Sequence, residues 1–188
     1  MNPTQNPSAI RSKNEITYTL LHLMKSFPYN EITVKQILIE AHVARKTFYR
    51  NFTSKDDVLN SHIERILHRY IQSLQQMSDC RISTILDIIF DVCMQNQDLF
   101  FLLRDNNLLH LILNKLNLFI PIIHEQVVNP NHPLFQPFTH EQVEYIIAFN
   151  IGSVWNIILK WIERDMSDTP EYIKKTVLHY LEHMSQFA

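Results

Sequence analysis

Apolar residues recur at helical spacing along nearly the whole chain, and prolines and small polar residues punctuate the runs. Ile16, Leu20, Leu23, Met24 and Phe27 fall on one face of a helix expected over about 9–27, which Pro28 ends. Residues 1–8 are polar and proline-containing and read as a loose arm, with Ser8 a helix start. A second helix begins at Thr33, where Thr33 and Gln36 have the spacing of a capping box. Val34, Ile37, Leu38 and Ala41 supply its apolar face. His42-Val43 forms a turn, and a third, short helix covers Arg45 to Asn51. Val43, Phe48 and Phe52 are its inward positions, which leaves Arg45, Lys46, Thr47, Tyr49 and Arg50 outside or at the rim.

Ser54, with Asp57 three residues on, caps a long fourth helix. Its stripe of Val58, Leu59, Ile63, Ile66, Leu67, Tyr70, Ile71 and Leu74 runs to about Met77. At about 24 residues it spans roughly 36 Å, enough to bridge two bodies. Five more helices are expected near 81–96, 98–105, 107–127, 139–165 and 169–186. The proline-rich stretch 129–138 is the main loop, and Asp168-Thr169-Pro170-Glu171 signals the last helix start, with Asp168 as cap. The expected fold is all-α: a three-helix N-terminal head over 1–54 and a helical body over 55–188.

Composition narrows the class. The single glycine, Gly152, argues against sandwiches, barrels and glycine-rich phosphate loops, which need positive φ at several positions. Cys80 and Cys93 form no C-x-x-C pair, which excludes a zinc ribbon or a thioredoxin motif. No N-terminal apolar signal stretch is seen and no run is read as long as a membrane span, so a cytoplasmic protein with reduced thiols is expected. Asn51-Phe52-Thr53 matches a glycosylation acceptor only by accident.

The net charge of −2 is unevenly spread. Residues 1–60 hold eight Lys/Arg against five Asp/Glu, and the remainder nine against fourteen. Arg45, Lys46, Arg50 and Lys55 follow one another with no acid between them. A solvated helix face would account for that run alone. Two short helices around a tight turn, the second one cationic, have in addition the layout of a helix-turn-helix that places its second helix in the DNA major groove. Arg11 and Lys13 lie near the first helix start, within reach of a phosphate.

The residues that carry this layout resemble the TetR (tetracycline-repressor-like) family of bacterial transcriptional regulators. The resemblance rests on I-T-V-K-Q-I from Ile32 to Ile37 and on A-x-V-x-R-K-T-F-Y-R-x-F-x-S-K from Ala41 to Lys55. It extends to Gly152-Ser153-Val154-Trp155, Lys160-Trp161-Ile162 and the S-D-T-P-E cap near the C-terminus, while 80–140 is family-like only in its helical pattern. It implies a homodimer through the last two helices, about 139–165 and 169–186, on a near-palindromic DNA operator, with repression as the default action. Lys46 and Thr47 are the best candidates for base contact, Arg45 and Arg50 for bases or phosphates, and Thr33 for a phosphate. Tyr49 and Lys55 match family positions that hold backbone phosphates; the plainer alternative for Tyr49 is packing on Phe52. Two departures stand out: His42 replaces a common turn glycine, and Ala44 replaces the usual serine or threonine cap of the recognition helix.

An effector pocket in the body is a second expectation, lined by Phe90, Cys93, Met94, Phe101, Leu103, His110, Phe119, Phe149 and Trp155. Ordinary core is the competing reading for each of them. Few charges lie between Leu108 and Ile123, which favours a small, largely apolar effector. No cofactor or metal is expected: His179 and His183 have ligand spacing but no third partner, and His140-Glu141 lacks the second histidine of a zincin. Neither a nucleophile elbow nor a phosphate loop is present, so an enzyme is not expected. The rival is an interaction module or co-regulator that works through a protein partner with weak or no DNA binding.

Overall fold

The computed structural model describes residues 7–76, 81–127 and 138–186, and among them the chain is helical with no strand. The head consists of α1 (Pro7–Leu23), α2 (Val34–Glu40) and α3 (Arg45–Asn51), with a short 3-10 turn (Tyr29–Glu31) joining α1 to α2. The body consists of α4 (Lys55–Gln75), α5 (Ile82–Gln95), α6 (Gln97–Asp105), α7 (His110–Val127), α8 (His140–Glu163) and α9 (Pro170–Met184). Of the expected arm at 1–8, Pro7 and Ser8 already belong to α1, and the rest of it, Met77, Cys80 and most of the 129–138 loop lie outside the described residues.

The capping signals set the helix starts. Thr33 and Gln36 form the expected reciprocal box, and Ser54 accepts from the Asp57 N–H. Thr139 and Gln142 form a second box at α8. At α9 the cap is Thr169, one residue later than expected, with Pro170 in the first turn. Asp168 is drawn away: its carboxylate accepts from Arg164 and its carbonyl from the Trp161 indole N–H.

With one glycine available, three helices end on other residues in the left-handed region. His42 (φ 51°), Asn107 (φ 59°) and Asp165 (φ 55°) each follow a helix end. Each end is closed by the paired bonds of a Schellman motif, such as Val43 N–H to Leu38 O and Leu108 N–H to Leu103 O. Left-handed backbone costs a non-glycine residue about 1–2 kcal/mol, least for Asn, Asp and His, the types at these three positions; Met166 (φ 50°), next to Asp165, is left-handed as well.

One core runs through both parts. Ile16, Leu20, Ile37 and Phe48 of the head and Leu86, Phe90, Trp161 and Ile162 of the body join a single cluster of buried residues. Helix α4 connects them: Val58, Leu59 and Ile63 near its start and Ile66, Leu67, Tyr70 and Ile71 further along are all buried, against α1, α5 and α7. The proposed stripe on α1 holds except for Phe27, which lies beyond the helix end and is 45% exposed.

Helix α8 corrects one expectation. It is, among the described residues, a helix long and apolar enough to cross a membrane, with mean hydropathy 1.4 over its best stretch. Its faces differ, however. Ile147, Trp155, Ile158, Trp161 and Ile162 are buried, while Tyr145 (80%) and Phe149 (72%) stand in solvent.

The junction between α4 and α1 contains a pH-sensitive contact. Arg65 donates to His62 Nδ1 (2.8 Å) and to Asn14 Oδ1 (3.4 Å), so His62 is an acceptor there. Burial, then the charges of Arg65 and Arg69, lower the His62 pKa to about 4. The unfolded chain therefore takes up a proton on His62 at a higher pH than the folded chain does, and stability falls as pH drops from about 6.5 towards about 4. We expect His62→Gln to flatten that part of the stability curve. Urea midpoints measured between pH 7.5 and 4.5 check this, and parallel curves for the two proteins would count against it.

Candidate nucleic-acid interface

Phe48 is fully buried and Phe52 nearly so, and together they anchor α3 in the head. Their burial decides the rest of this seven-residue helix: Arg45, Lys46, Tyr49 and Arg50 are exposed and Thr47 is half-buried at the edge. Tyr49 stacks edge-on against Phe48, with ring centroids 5.3 Å apart, and the Arg45 guanidinium lies 5.5 Å from its ring. So Tyr49 packs on Phe48 rather than Phe52, and its ring remains at the surface. No acidic residue interrupts this face from Arg45 to Lys55. The result is an exposed cationic helix, preceded by α2 and the His42 turn. Lys13 of α1 sits 6.0 Å from the Phe52 ring, at the side of the same head.

Two of the expected contacts are occupied inside the head. The Thr33 hydroxyl accepts from the Gln36 N–H and donates to Gln36 Oε1. Lys55 turns inward. Its ammonium donates to the carbonyls of Tyr29 (2.6 Å), Asn30 (3.2 Å) and Ile32 (2.7 Å), and lies 4.6 Å from the Tyr29 ring. An ammonium has three N–H groups, and all three are used. The motif position alone did not reveal this, because the acceptors come from a turn more than twenty residues upstream.

The nine residues expected to line a pocket do not surround one space. Phe90, Cys93, Leu103 and Trp155 are buried core, and Phe90 meets Trp161 edge-on at 5.2 Å. Phe101 and Phe119 are half-buried, with Phe119 tilted against His68. Met94 (44% exposed), His110 and Phe149 face solvent. Burial pushes the Cys93 thiol up to about 12, which keeps it protonated and unreactive. A cleft of about 370 Å3 lies instead between α4 and α5, and Arg69, Gln72, Asp91 and Gln95 are among its polar walls.

Comparison with known proteins agrees with this arrangement. The family described as "Bacterial regulatory proteins, tetR family" matches residues 19–61, which include α2, the turn and α3. The family described as "Transcriptional regulator C-terminal region" matches residues 81–183, more than half of the chain. No curated protein sequence matches. Among solved structures, a TetR transcriptional regulator from Streptococcus agalactiae is 22% identical with a TM-score of 0.62, covering 94% of this chain and 97% of that one. The fatty acid degradation regulator FadR from Bacillus halodurans is 18% identical with a TM-score of 0.56, covering 92% and 93%. The dihydroxyacetone kinase operon activator DhaS is 19% identical with a TM-score of 0.56, covering 95% and 98%. At these identities the three show a shared fold.

Ala44 stands at the N-cap of α3 and provides no side-chain bond to the helix. Ala44→Ser is expected to stabilise the protein by about 1 kcal/mol, since a serine oxygen there can accept an orphan N–H. Thermal unfolding at fixed protein concentration reads this as a raised midpoint; an unchanged midpoint would show that the cap position is already satisfied by solvent.

Proposed function

The chain belongs to the TetR family of bacterial regulatory proteins, DNA-binding regulators of transcription and not enzymes, and from that premise we propose that it acts in the cytoplasm as a homodimeric repressor of a near-palindromic operator. The observation that carries this reading is the exposed cationic face of α3 held on a buried Phe48. Lys46 and Thr47 read base edges in the major groove; Arg45, Tyr49 and Arg50 hold phosphates or neighbouring bases. Thr33 contributes through the α2 start if its capping bond to Gln36 is shared. The inward geometry of Lys55 favours a structural role over a phosphate contact. Heads on a two-fold dimer meet half-sites about 34–36 Å apart.

The dimer surface we propose is the outer face of α8 and α9. No residue of α9 is buried within one chain, and Tyr172 and Tyr180 of α9 are largely exposed, as are Tyr145 and Phe149 of α8. Gly152 adds a second argument. Glycine inside a helix costs roughly 0.5–1 kcal/mol relative to alanine, yet a Cβ at Gly152 would meet nothing within 4 Å in this chain. Close approach by a partner's helix gives that glycine a purpose. For an effector, the polar walls of the α4–α5 cleft favour a small polar molecule over an apolar one. An effector that binds two head spacings with different affinity would release the operator.

Lys46→Ala should weaken binding to operator DNA selected by the wild-type protein by about 1–3 kcal/mol, and bind random-sequence DNA nearly as well as wild type. Lys55→Met should lower the thermal midpoint and leave the salt dependence of DNA binding unchanged, whereas loss of a phosphate contact would reduce that slope by about one. Fluorescence anisotropy over a salt series separates the two. An unaltered operator affinity for Lys46→Ala would remove it from base recognition.

Phe149→Glu and Gly152→Leu should each convert a dimer to monomer at micromolar concentration, with helical content retained. Sedimentation equilibrium reads the mass, and dimers of unchanged affinity in both variants would move the interface elsewhere.

A further inference from the structure

The turn between α1 and α2 is gripped from two sides. From α4, Lys55 holds three of its carbonyls, and Asp56 accepts from the Tyr29 hydroxyl at 2.5 Å. From the body, Asn106 at the end of α6 makes two bonds to the junction and one back to its own helix. Its Oδ1 accepts from the Tyr29 N–H (2.9 Å), and its Nδ2 donates to Met24 O (3.3 Å) and to Leu102 O (2.9 Å). These atoms are half-buried, and Tyr29 and Asn106 are 77 positions apart in the chain.

The same helix end is tied to α8. Arg104 donates to Ile162 O (2.9 Å) and to Asp165 Oδ1 (2.6 Å), just where α8 ends. The two turns that carry these groups are the left-handed ones at Asn107 and at Asp165-Met166. A polar strap therefore runs from the outer helix of the body, through the last turn of α6, to the turn that carries α2 and α3.

The apolar packing of α1 on α4 also joins head to body, but such contacts are non-directional and tolerate small rotations. Hydrogen bonds weaken steeply when bent, so they fix an angle. We propose that Asn106 and Arg104 are positioning residues that set the angle of each recognition helix relative to the two-fold axis, and so determine which half-site spacing the dimer accepts. This rests on the dimeric reading above. One added base pair turns a half-site by about 35° and moves it about 3.4 Å, which a rigid strap resists.

The test uses full-length protein and duplex DNA selected from a random library by the wild type, remade with half-sites one base pair closer or one or two further apart. Wild type should lose on the order of tenfold in affinity per base pair of change. Asn106→Asp keeps the acceptor for Tyr29 but sets a carboxylate oxygen against the carbonyls of Met24 and Leu102. It should lower the ratio between best and altered spacing several-fold, with affinity for a single half-site and dimer mass unchanged. Arg104→Gln should act in the same direction, and it carries the test if Asn106→Asp proves poorly folded by circular dichroism. A uniform loss at every spacing, with the ratio kept, would reduce both residues to general stability and overturn the inference. Wild-type protein that binds as a monomer would overturn the dimeric reading and this inference with it, whereas a dimer with no spacing preference would overturn the inference alone. Spacing-selective, dimeric wild type with unaltered ratios in both variants would overturn the inference alone.

Discussion

Helix α4 has one apolar stripe and two bodies to satisfy. Its first three turns bury Val58, Leu59 and Ile63, its later turns bury Ile66, Leu67, Tyr70 and Ile71, and the helix packs on α1 of the head and on α5 and α7 of the body. Because the helix is continuous, its 1.5 Å rise per residue and 3.6-residue turn tie the two packing surfaces together. The result is one buried cluster from Ile16 to Ile162. A boundary near residue 54, natural from the motif, coincides with the Ser54 cap but not with any gap in the core. Head and body therefore share one continuous apolar support.

The scarcity of glycine shapes how the helices end. His42, Asn107 and Asp165 take positions where glycine would be unstrained. Those three places are the recognition turn, the α6 end bound to the head, and the α8 end bound to α6. Each is held by side chains or backbone bonds that offset the local strain: the Schellman bonds at His42, the Asn106 amide beside Asn107, and Arg104 on Asp165. Strain persists only where surrounding contacts over-determine it. Here that condition is met by the polar contacts at each turn together with the next residues, Val43, Leu108 and Met166, which pack on the apolar core.

Electrostatics divides the cations of the head into two groups. Arg45, Lys46 and Arg50 extend into solvent from a helix whose inner face is fixed by Phe48, whereas Lys55 neutralises the carbonyl ends of the α1–α2 turn. Tyr29 completes that second group. Burial, then its bond to Asp56, raises its pKa well above the ordinary tyrosine range, so it remains a donor at any pH the protein meets. Cations that face solvent and a cation that holds the head together are thus neighbours in one sequence motif.

Much of this was legible in the chain. The 3.6-residue apolar period, the Thr33–Gln36 and Ser54 caps and the family motif from Ala41 to Lys55 fixed the helix order, the recognition helix and the outward set of Arg45, Lys46 and Arg50, because each depends on residues within a turn or two of one another. The left-handed turn at His42 and the uncapped start at Ala44 were visible for the same reason. What depended on distant partners was not. Phe27, Met94 and Phe149 carry the spacing of core residues, yet the packing of the described residues leaves them exposed. Lys55 carries the spacing of a phosphate contact, yet meets three carbonyls from another turn. The Asn106 bond to Tyr29 joins residues 77 positions apart in the chain. Local periodicity specifies which face of a helix is apolar; only the packed tertiary structure decides which of those faces is covered, and which polar side chains find their partners across it.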